Sequence, residues 1–270
     1  MIDPEIQFPD TPFPLQPTLA LLCRRGSEAH GTYIPSTDPN GIDDRDLLGI
    51  CVPPRPYLLG LRTWDHAESI KGVWDVVLYD LRKFVGLLLK QNPNVLSALW
   101  LEEEDYLHVT AVGRALIQSR EIFCAREPAY RCFVGYAHDQ LRKMTRGAFN
   151  GYMGAKRKAL VEKWGYDTKN AAHLVRLLHM GEEYLLTGQL QVRRTHDVDM
   201  IKSIKRGEWR LEQVQTYAAE KMRALADAKS KSVLPEYIDE EAVEGLMLGL
   251  LSGEFAKWSG PGAITRAAGT

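Results

Sequence analysis

Three short apolar runs in the first third of the chain predict three buried strands. The runs cover residues 18–24 (TLALLCR), 47–52 (LLGICV) and 73–79 (VWDVVLY). Short runs of this kind, bounded by glycine, proline or charged residues, are typical of strands in a buried sheet. Pro53 and Pro54 end the second run, because proline cannot continue a central ladder. A small sheet is therefore predicted here.

Apolar residues spaced three and four apart predict helices further along the chain. The first covers residues 81–90, and a second covers residues 95–101 after the break at Asn92-Pro93-Asn94. Residues 57–72 fit neither period, and we interpret them as an excursion that could cover the functional site. The helices predicted in the second half cover residues 130–146, 168–186, 200–205, 210–228 and 240–258.

The order of these elements predicts an α+β fold. A small mixed sheet with flanking helices comes first, and a helical C-terminal region follows it. The change of pattern predicts a boundary near residue 127, which separates a domain at residues 1–127 from a helical domain at residues 128–270. Residues 1–17 carry five prolines, and this composition predicts an irregular arm.

Composition and charge fit an ordinary globular chain. Apolar residues make up 45% and the net charge is −1, so nothing global indicates a nucleic-acid or membrane partner. The four cysteines form no C-x-x-C pair, which favours free buried thiols over disulfides. The N-terminal residues lack the apolar segment of a signal peptide, and no run is long enough to span a bilayer. We expect a cytoplasmic protein, made by a cell or by a virus inside one.

Two aspartates follow a Gly-Ser turn and lead into the second predicted strand. On a strand Asp44 and Asp46 would face the same way, with Cα atoms roughly 6.5–7 Å apart. Carboxylates this close repel each other unless a cation lies between them. Mg²⁺ suits such a pair, because it binds one or two carboxylates together with water and substrate phosphates. Beside Gly26 and Ser27 the ion would form a triphosphate site, although the same pattern also occurs as a solvated turn.

A third acidic residue, Asp75, lies near the start of the third predicted strand. An acidic side chain in a buried strand is unfavourable unless it is paired or bound to a metal. Asp80 is the rival for this role, but its position suits the N-cap of the following helix better. Asp75 is therefore the candidate that would complete the carboxylate group.

Four basic side chains are further candidates for phosphate contacts. His30 follows the Gly-Ser turn, where a structural or solvated role is the alternative. Lys83 lies at the start of the helix after the third strand. His173 and Arg176 are three residues apart and share one helix face. A buried arginine needs an anionic partner, which could be a structural carboxylate or a substrate phosphate.

The combination of Gly26-Ser27, Asp44-x-Asp46 and a later strand carboxylate resembles the DNA polymerase beta-like nucleotidyltransferase superfamily. Further segments between about residues 18 and 210 resemble a group of predicted nucleotidyltransferases that includes one associated with RNA repair. They are specific for the group and not for a substrate. These segments are DRDLLGI at 44–50, VPP at 52–54, LRKF at 81–84, KQNPNVL at 90–96, GYA at 135–137 and AHLVRLL at 172–178.

The resemblance implies that the sheet is a nucleotidyltransferase palm. It implies that Asp44, Asp46 and Asp75 hold two Mg²⁺ ions, which Mn²⁺ could replace. It also implies that Gly26 and Ser27 open a short helix and bind the phosphates of a nucleotide. In this arrangement Asp75 is the best candidate to orient or deprotonate the acceptor hydroxyl. The shared HLxRLL segment adds support for a substrate contact by the histidine and arginine within it, and a structural carboxylate partner stays the equal alternative.

The implied activity is transfer of a nucleoside monophosphate from an NTP to a hydroxyl acceptor, with release of pyrophosphate. The acceptor could be an RNA end such as that of tRNA, a protein or a small molecule. A non-catalytic protein that binds a nucleotide or an RNA end on the same fold is the alternative. The sequence contains no Walker A motif, no Rossmann fingerprint and no G-x-S-x-G context for Ser27.

Overall fold

The computed structural model describes residues 2–35, 37–38, 45–146 and 155–258. Within these ranges, the side chains of residues 145–146, 155–158 and 254–258 are not described. Asp44 lies outside the described residues, so its predicted role stays a prediction.

A five-stranded mixed sheet forms the centre of the first part. Its strand order is β3-β4-β2-β1-β5. Strands β2 and β4 run parallel, and the other neighbours run antiparallel. The strands are β1 (Leu19–Arg24), β2 (Arg45–Cys51), β3 (His66–Lys71), β4 (Trp74–Asp80) and β5 (Tyr106–Val109).

Helices flank this sheet and make up most of the described chain after residue 110. In the first part they are α1 (Gly26–Ala29), α2 (Arg55–Leu58), α3 (Leu81–Leu89), α4 (Pro93–Leu96) and α5 (Ala111–Gln118). Short 3₁₀ turns cover Ser97–Leu99, Glu103–Asp105 and Arg120–Phe123. The later helices are α6 (Arg126–Arg146), α7 (Ala155–Trp164), α8 (Thr168–Thr187), α9 (Val198–Lys205), α10 (Leu211–Ser230) and α11 (Glu240–Trp258). The α+β fold with a helical C-terminal part is therefore confirmed.

The interpretation of residues 57–72 as an excursion over the site was wrong. This stretch contains the end of α2 and the edge strand β3, which pairs only with β4. The sequence of β3, HAESIK, has little apolar character, and its residues alternate between exposed and half-buried positions. The hydrophobic pattern of a buried strand is absent there, because an edge strand need not bury either face.

The two faces of the sheet are covered differently. One face packs against helices in a large core that includes Phe84 of α3, Phe133 of α6 and Tyr184 of α8. This core takes side chains from both sides of residue 127, and the division into two domains stays a prediction. The other face is covered by the N-terminal arm, where Ile6 packs with the strands and the Phe13 ring lies against other aromatic rings.

Candidate active site

The backbone of Gly26 lies close against the carboxylate of Asp46. Strand β1 ends at Arg24, and Gly26 then begins α1 with a φ of +66°. A Cβ atom on Gly26 would lie 1.9 Å from Oδ2 and 2.7 Å from Cγ of Asp46, so the Asp46 side chain would have to move to accommodate it. Glycine therefore suits this position twice, by its positive φ and by the close contact of its backbone with the Asp46 carboxylate. Ser27, the next residue, follows within this short helix.

Two of the three predicted carboxylates lie side by side. Asp46 on β2 and Asp75 on β4 are register partners in the parallel pair. Neighbouring strands lie about 4.8 Å apart, and partners in a parallel register project from the same face of the sheet. The structure thus places these two carboxylates together, beside the backbone of Gly26.

Arg25 lies over this pair of strands. Its Nη2 donates to Oδ1 of Asp75 at 2.7 Å, and its Nε donates to the carbonyl oxygen of Leu47 at 3.1 Å. Its backbone N–H also donates to the carbonyl oxygen of Asp46 at 2.8 Å. The Arg25 side chain therefore extends from the end of β1 across β2, and its guanidinium reaches the carboxylate on β4.

Asp46 opens onto a cavity of about 260 Å³ between the sheet and the C-terminal helices, and its register partner Asp75 lies beside it without lining this cavity. The sheet side of its wall includes Gly26, Ser27 and Asp46. The opposite side includes His173 and Arg176 of α8. Most of the residues selected from the sequence thus share one enclosure, although they lie about 130 to 150 positions apart.

Arg176 is buried in this wall without a carboxylate at ion-pair distance among the described residues. Its Nη1 lies 3.1 Å from Sδ of Met180 and 3.4 Å from Nδ1 of His30. Burial, and then the nearby positive charge of Arg194, lowers the pKa of Arg176 to about 9. A guanidinium in this state is poised to bind an anion that enters the cavity.

Lys205 is a second cavity cation, which the sequence interpretation missed. Its Nζ donates to the carbonyl oxygen of Thr32 at 2.7 Å and lies 3.2 Å from Oγ1 of the same residue. Burial, followed by the positive charge of Arg176, lowers the pKa of Lys205 to about 7. Its position four residues after the buried Ile201, on the apolar face of α9, is the signal that could have identified it.

The two cavity histidines are held in the neutral state. His30 is buried, and its Nδ1 lies 3.1 Å from the carbonyl oxygen of Val192. Burial, and then Arg176, lowers the pKa of His30 and of His173 well below the usual range. Nε2 of His173 is buried and has no hydrogen-bond partner within the described part of the chain. This orphaned atom belongs to a residue of the cavity wall, where a ligand could supply its partner.

Lys83 lies apart from this enclosure. Its Nζ pairs with Asp65 at 3.1 Å on an exposed part of the surface, and it does not line the cavity. Asp80 caps α3, as the sequence suggested, by accepting the backbone N–H of Lys83 at 2.5 Å. The structure therefore does not bring Lys83 together with the other predicted phosphate contacts.

A separate polar cluster lies behind Arg176. His179, His196 and Asp197 have the spacing of metal ligands, the one such group found in the described ranges. Arg194, however, donates to Oδ2 of Asp197 at 2.9 Å and to Glu183 at 2.6 Å. Because a buried guanidinium already neutralises these carboxylates, we assign the cluster a structural role. Arg194 also holds the C-terminal end of α1, since its backbone N–H donates to the carbonyl oxygen of His30.

The donor set at the N-terminal ends of β2 and β4 fits a magnesium ion. Asp46 and Asp75 supply hard oxygen ligands from adjacent strands, and Mg²⁺ characteristically binds one or two carboxylates and completes its shell with water and phosphate. Because Gly26 has no Cβ atom, its backbone leaves room for the Asp46 carboxylate.

No helix in the described residues is both long and apolar enough to cross a bilayer. All four cysteines are free thiols, and three of them are buried. Burial raises the pKa of the Cys51 thiol to about 12, so this group is protonated and inert near neutral pH.

Comparison with known proteins identifies related sequences. The model of a family described as RlaP, RNA repair pathway DNA polymerase beta family, matches residues 15–243. None of the curated proteins matches the chain. Among solved structures, a nucleotidyltransferase-like protein from Exiguobacterium sibiricum is similar, with 11% identity over 90% of this chain and 75% of that one. The TM-score of this pair is 0.27, too low to support any argument about the site.

Proposed function

The chain belongs to the RNA repair pathway DNA polymerase beta family, and on this premise we propose that it transfers a nucleoside monophosphate from an NTP to a hydroxyl acceptor. Pyrophosphate is the second product. One observation carries the proposal: Asp46, the register partner of Asp75, meets the Gly26 backbone at a cavity whose opposite wall holds Arg176 and Lys205.

The carboxylates of Asp44, Asp46 and Asp75 would hold two Mg²⁺ ions, with Mn²⁺ as a substitute. When bound, the ions would lower the pKa of the acceptor hydroxyl and neutralise charge on the triphosphate. Asp75 would orient or deprotonate that hydroxyl, since its side chain is 32% exposed and lies next to Asp46, which lines the cavity. Catalysis in such an in-line transfer rests chiefly on positioning and charge stabilisation.

The cavity wall supports a role in holding the triphosphate. Ser27 would bind phosphate through Oγ, and the backbone N–H of Gly26 would do so beside it. Arg176 and Lys205 have no carboxylate at ion-pair distance in the described chain, so an entering polyphosphate would be their counterion. His173 would supply a further hydrogen bond through its orphaned Nε2. His30, at the C-terminal end of α1, would position Arg176 through the contact between its Nδ1 and Nη1 of Arg176.

An RNA end, such as that of tRNA, is the proposed acceptor. The family description supports it, and so does the excess of positive charge around the cavity. Asp46 is the one acidic side chain in the described wall, against a set of cations. These cations are Arg24, Arg25, Lys169, Arg176 and Lys205. The free thiols suit a reducing compartment, so we propose a cytoplasmic location.

A substrate screen tests this function. The purified chain is incubated with each of the four α-labelled NTPs, with Mg²⁺ or Mn²⁺, and with total RNA, a protein extract or a small-molecule pool. Label transferred to RNA with release of pyrophosphate is the expected result. Tight NTP binding without pyrophosphate release under all of these conditions would favour the non-catalytic alternative.

A further inference from the structure

The contact between Arg25 and Asp75 has a consequence for metal binding. Asp75 is a proposed metal ligand, yet in the structure its carboxylate accepts a hydrogen bond from Nη2 of Arg25 at 2.7 Å. This guanidinium is the one ion-pair partner that the described residues offer to Asp75. A divalent ion and the guanidinium would therefore compete for the same carboxylate oxygen.

The pair is well placed for exchange. The side chains of Arg25 and Asp75 are 29% and 32% exposed, so water reaches both partners. Ion pairs at this level of exposure contribute little to stability, and separating them has a correspondingly small cost. A bound divalent ion would replace one positive charge beside Asp75 by two.

Two further hydrogen bonds of Arg25 determine where its guanidinium would lie once Asp75 has bound a metal. Nε donates to the carbonyl oxygen of Leu47, and the backbone N–H donates to that of Asp46. Both bonds are independent of Asp75, so they would keep the side chain over β2 after the carboxylate is taken. Arg25 also lines the cavity, together with Ser27 and Asp46. A guanidinium released there would face an entering phosphate.

We propose that Arg25 is an exchangeable counterion of Asp75, which a divalent metal displaces, so that the guanidinium is released to a substrate phosphate. The inference rests on the proposed function, because it assumes that Asp75 binds metal. It makes Arg25 a phosphate-binding residue that couples metal entry to substrate binding.

Arg24 provides a matched control for the effect of charge. It is the adjacent arginine and lines the same cavity. Its guanidinium donates to the carbonyl oxygen of Glu104 at 2.8 Å, and it lies 3.6 Å from Asp105 and 3.9 Å from Glu28. Removal of Arg24 therefore lowers the local positive charge without releasing Asp75.

The test is a titration with Mn²⁺ followed by electron paramagnetic resonance, without nucleotide. The proteins compared are the wild type, Arg25→Gln, Arg24→Gln, Asp75→Asn and the double variant Arg25→Gln with Asp75→Asn. Arg25→Gln should bind Mn²⁺ about two- to fivefold more tightly than the wild type, the range that an exposed ion pair accounts for. Arg24→Gln should show a smaller gain, and Arg25→Gln should give none in the Asp75→Asn background.

Three results would overturn the inference: no gain in Arg25→Gln, an equal gain in Arg24→Gln, or a gain that persists in the double variant. Arg25→Lys is the second variant if Arg25→Gln does not fold. It keeps the charge but not the guanidinium geometry, and it too should bind Mn²⁺ more tightly. Absence of Mn²⁺ binding by the wild type would contradict the proposed function itself, which separates the two failures.

Discussion

Asp46 and Asp75 are register partners on two parallel strands, so their carboxylates leave the sheet side by side on the same face. The arrangement depends on the chain path, which brings β4 next to β2 although the two aspartates are 29 positions apart. Like charges this close require a cation. In the structure Arg25 supplies that cation for Asp75, and in the proposed reaction a divalent metal does so.

Gly26→Ala should abolish nucleotide transfer and lower stability. The new Cβ would collide with the Asp46 carboxylate, and the residue would have to keep a φ of +66°. We expect a loss of about 1–3 kcal/mol in the free energy of unfolding, measured by urea denaturation.

Gly72→Ala is the matched control for this substitution. Gly72 has a φ of +61°, but a Cβ there would meet nothing within 4 Å. This substitution should lower the free energy of unfolding by about 1–2 kcal/mol, the cost of a non-glycine residue at positive φ, and leave nucleotide transfer unchanged. An active Gly26→Ala enzyme would show that the contact with Asp46 is not required.

Arg176→Met should weaken nucleotide binding without destabilising the fold. Arg176 is buried with no carboxylate at ion-pair distance among the described residues, so its removal leaves no opposite charge uncompensated. Replacing a buried charge by an apolar side chain of similar length is often neutral or stabilising. We expect a melting temperature equal to or above that of the wild type, together with weaker binding of a non-hydrolysable ATP analogue in calorimetry.

Arg194→Met is expected to behave in the opposite way. Arg194 is fully buried and bound to Asp197 and Glu183, which the substitution would leave without their cation. A loss of about 3–5 kcal/mol in unfolding free energy is expected. Equal destabilisation by both substitutions would indicate that Arg176 has a structural partner after all.

Nucleotide binding should weaken as the pH rises above 7. Burial and nearby cations lower the pKa of Lys205 to about 7, and a bound anion would raise it again. Affinity should then be highest below pH 7 and fall by up to about tenfold per pH unit above it, until the pKa of the bound state is reached. The groups that share this environment are Arg176, Lys169, Lys202, His30, His173 and Asp46.

Lys205→Arg isolates this effect, because arginine stays charged throughout the range. Comparing the two proteins by calorimetry cancels the titration of the nucleotide itself. The wild type should take up part of a proton per nucleotide at pH 8, and the variant should take up less. The same pH profile in both proteins would exclude Lys205 as the titrating group.

Stability should change with pH through the same lysine. Its pKa is lower in the folded chain than in the unfolded chain, so between pH 7 and about 10.5 the unfolded state binds more protons. The contribution of Lys205 to stability therefore rises with pH across this window and is constant below it. Urea denaturation of the wild type and Lys205→Met at pH 7 and pH 9 checks the sign.

The buried strands of the fold could be predicted from the sequence, and the two edge strands could not. The runs that became β1, β2 and β4 were recognised because a buried strand needs a dense apolar segment. Both β3 and β5 lie at the edges of the sheet, where only one ladder forms. The β3 sequence HAESIK is mostly polar, and the β5 segment YLHV is only four residues long, so neither gives the signal of a buried strand.

Only part of the candidate site could be predicted from the sequence, because some of its contacts form only in the folded chain. Gly26, Ser27 and Asp46 form a local pattern, and this spacing together with the family resemblance was sufficient to select them. Lys205 lines the cavity because α9 packs its C-terminal end against the loop at Thr32, far away in sequence. The interaction of Arg25 with Asp75 likewise depends on strand order, which the sequence does not state.

The proposed reaction requires the strand carboxylates. The rate of pyrophosphate release by Asp46→Asn tests this requirement, with Glu68→Gln on the exposed edge strand β3 as the control. We predict a loss of at least about 10²-fold for Asp46→Asn, an unchanged melting curve, and wild-type activity for Glu68→Gln. Wild-type pyrophosphate release by a folded Asp46→Asn protein would contradict the account.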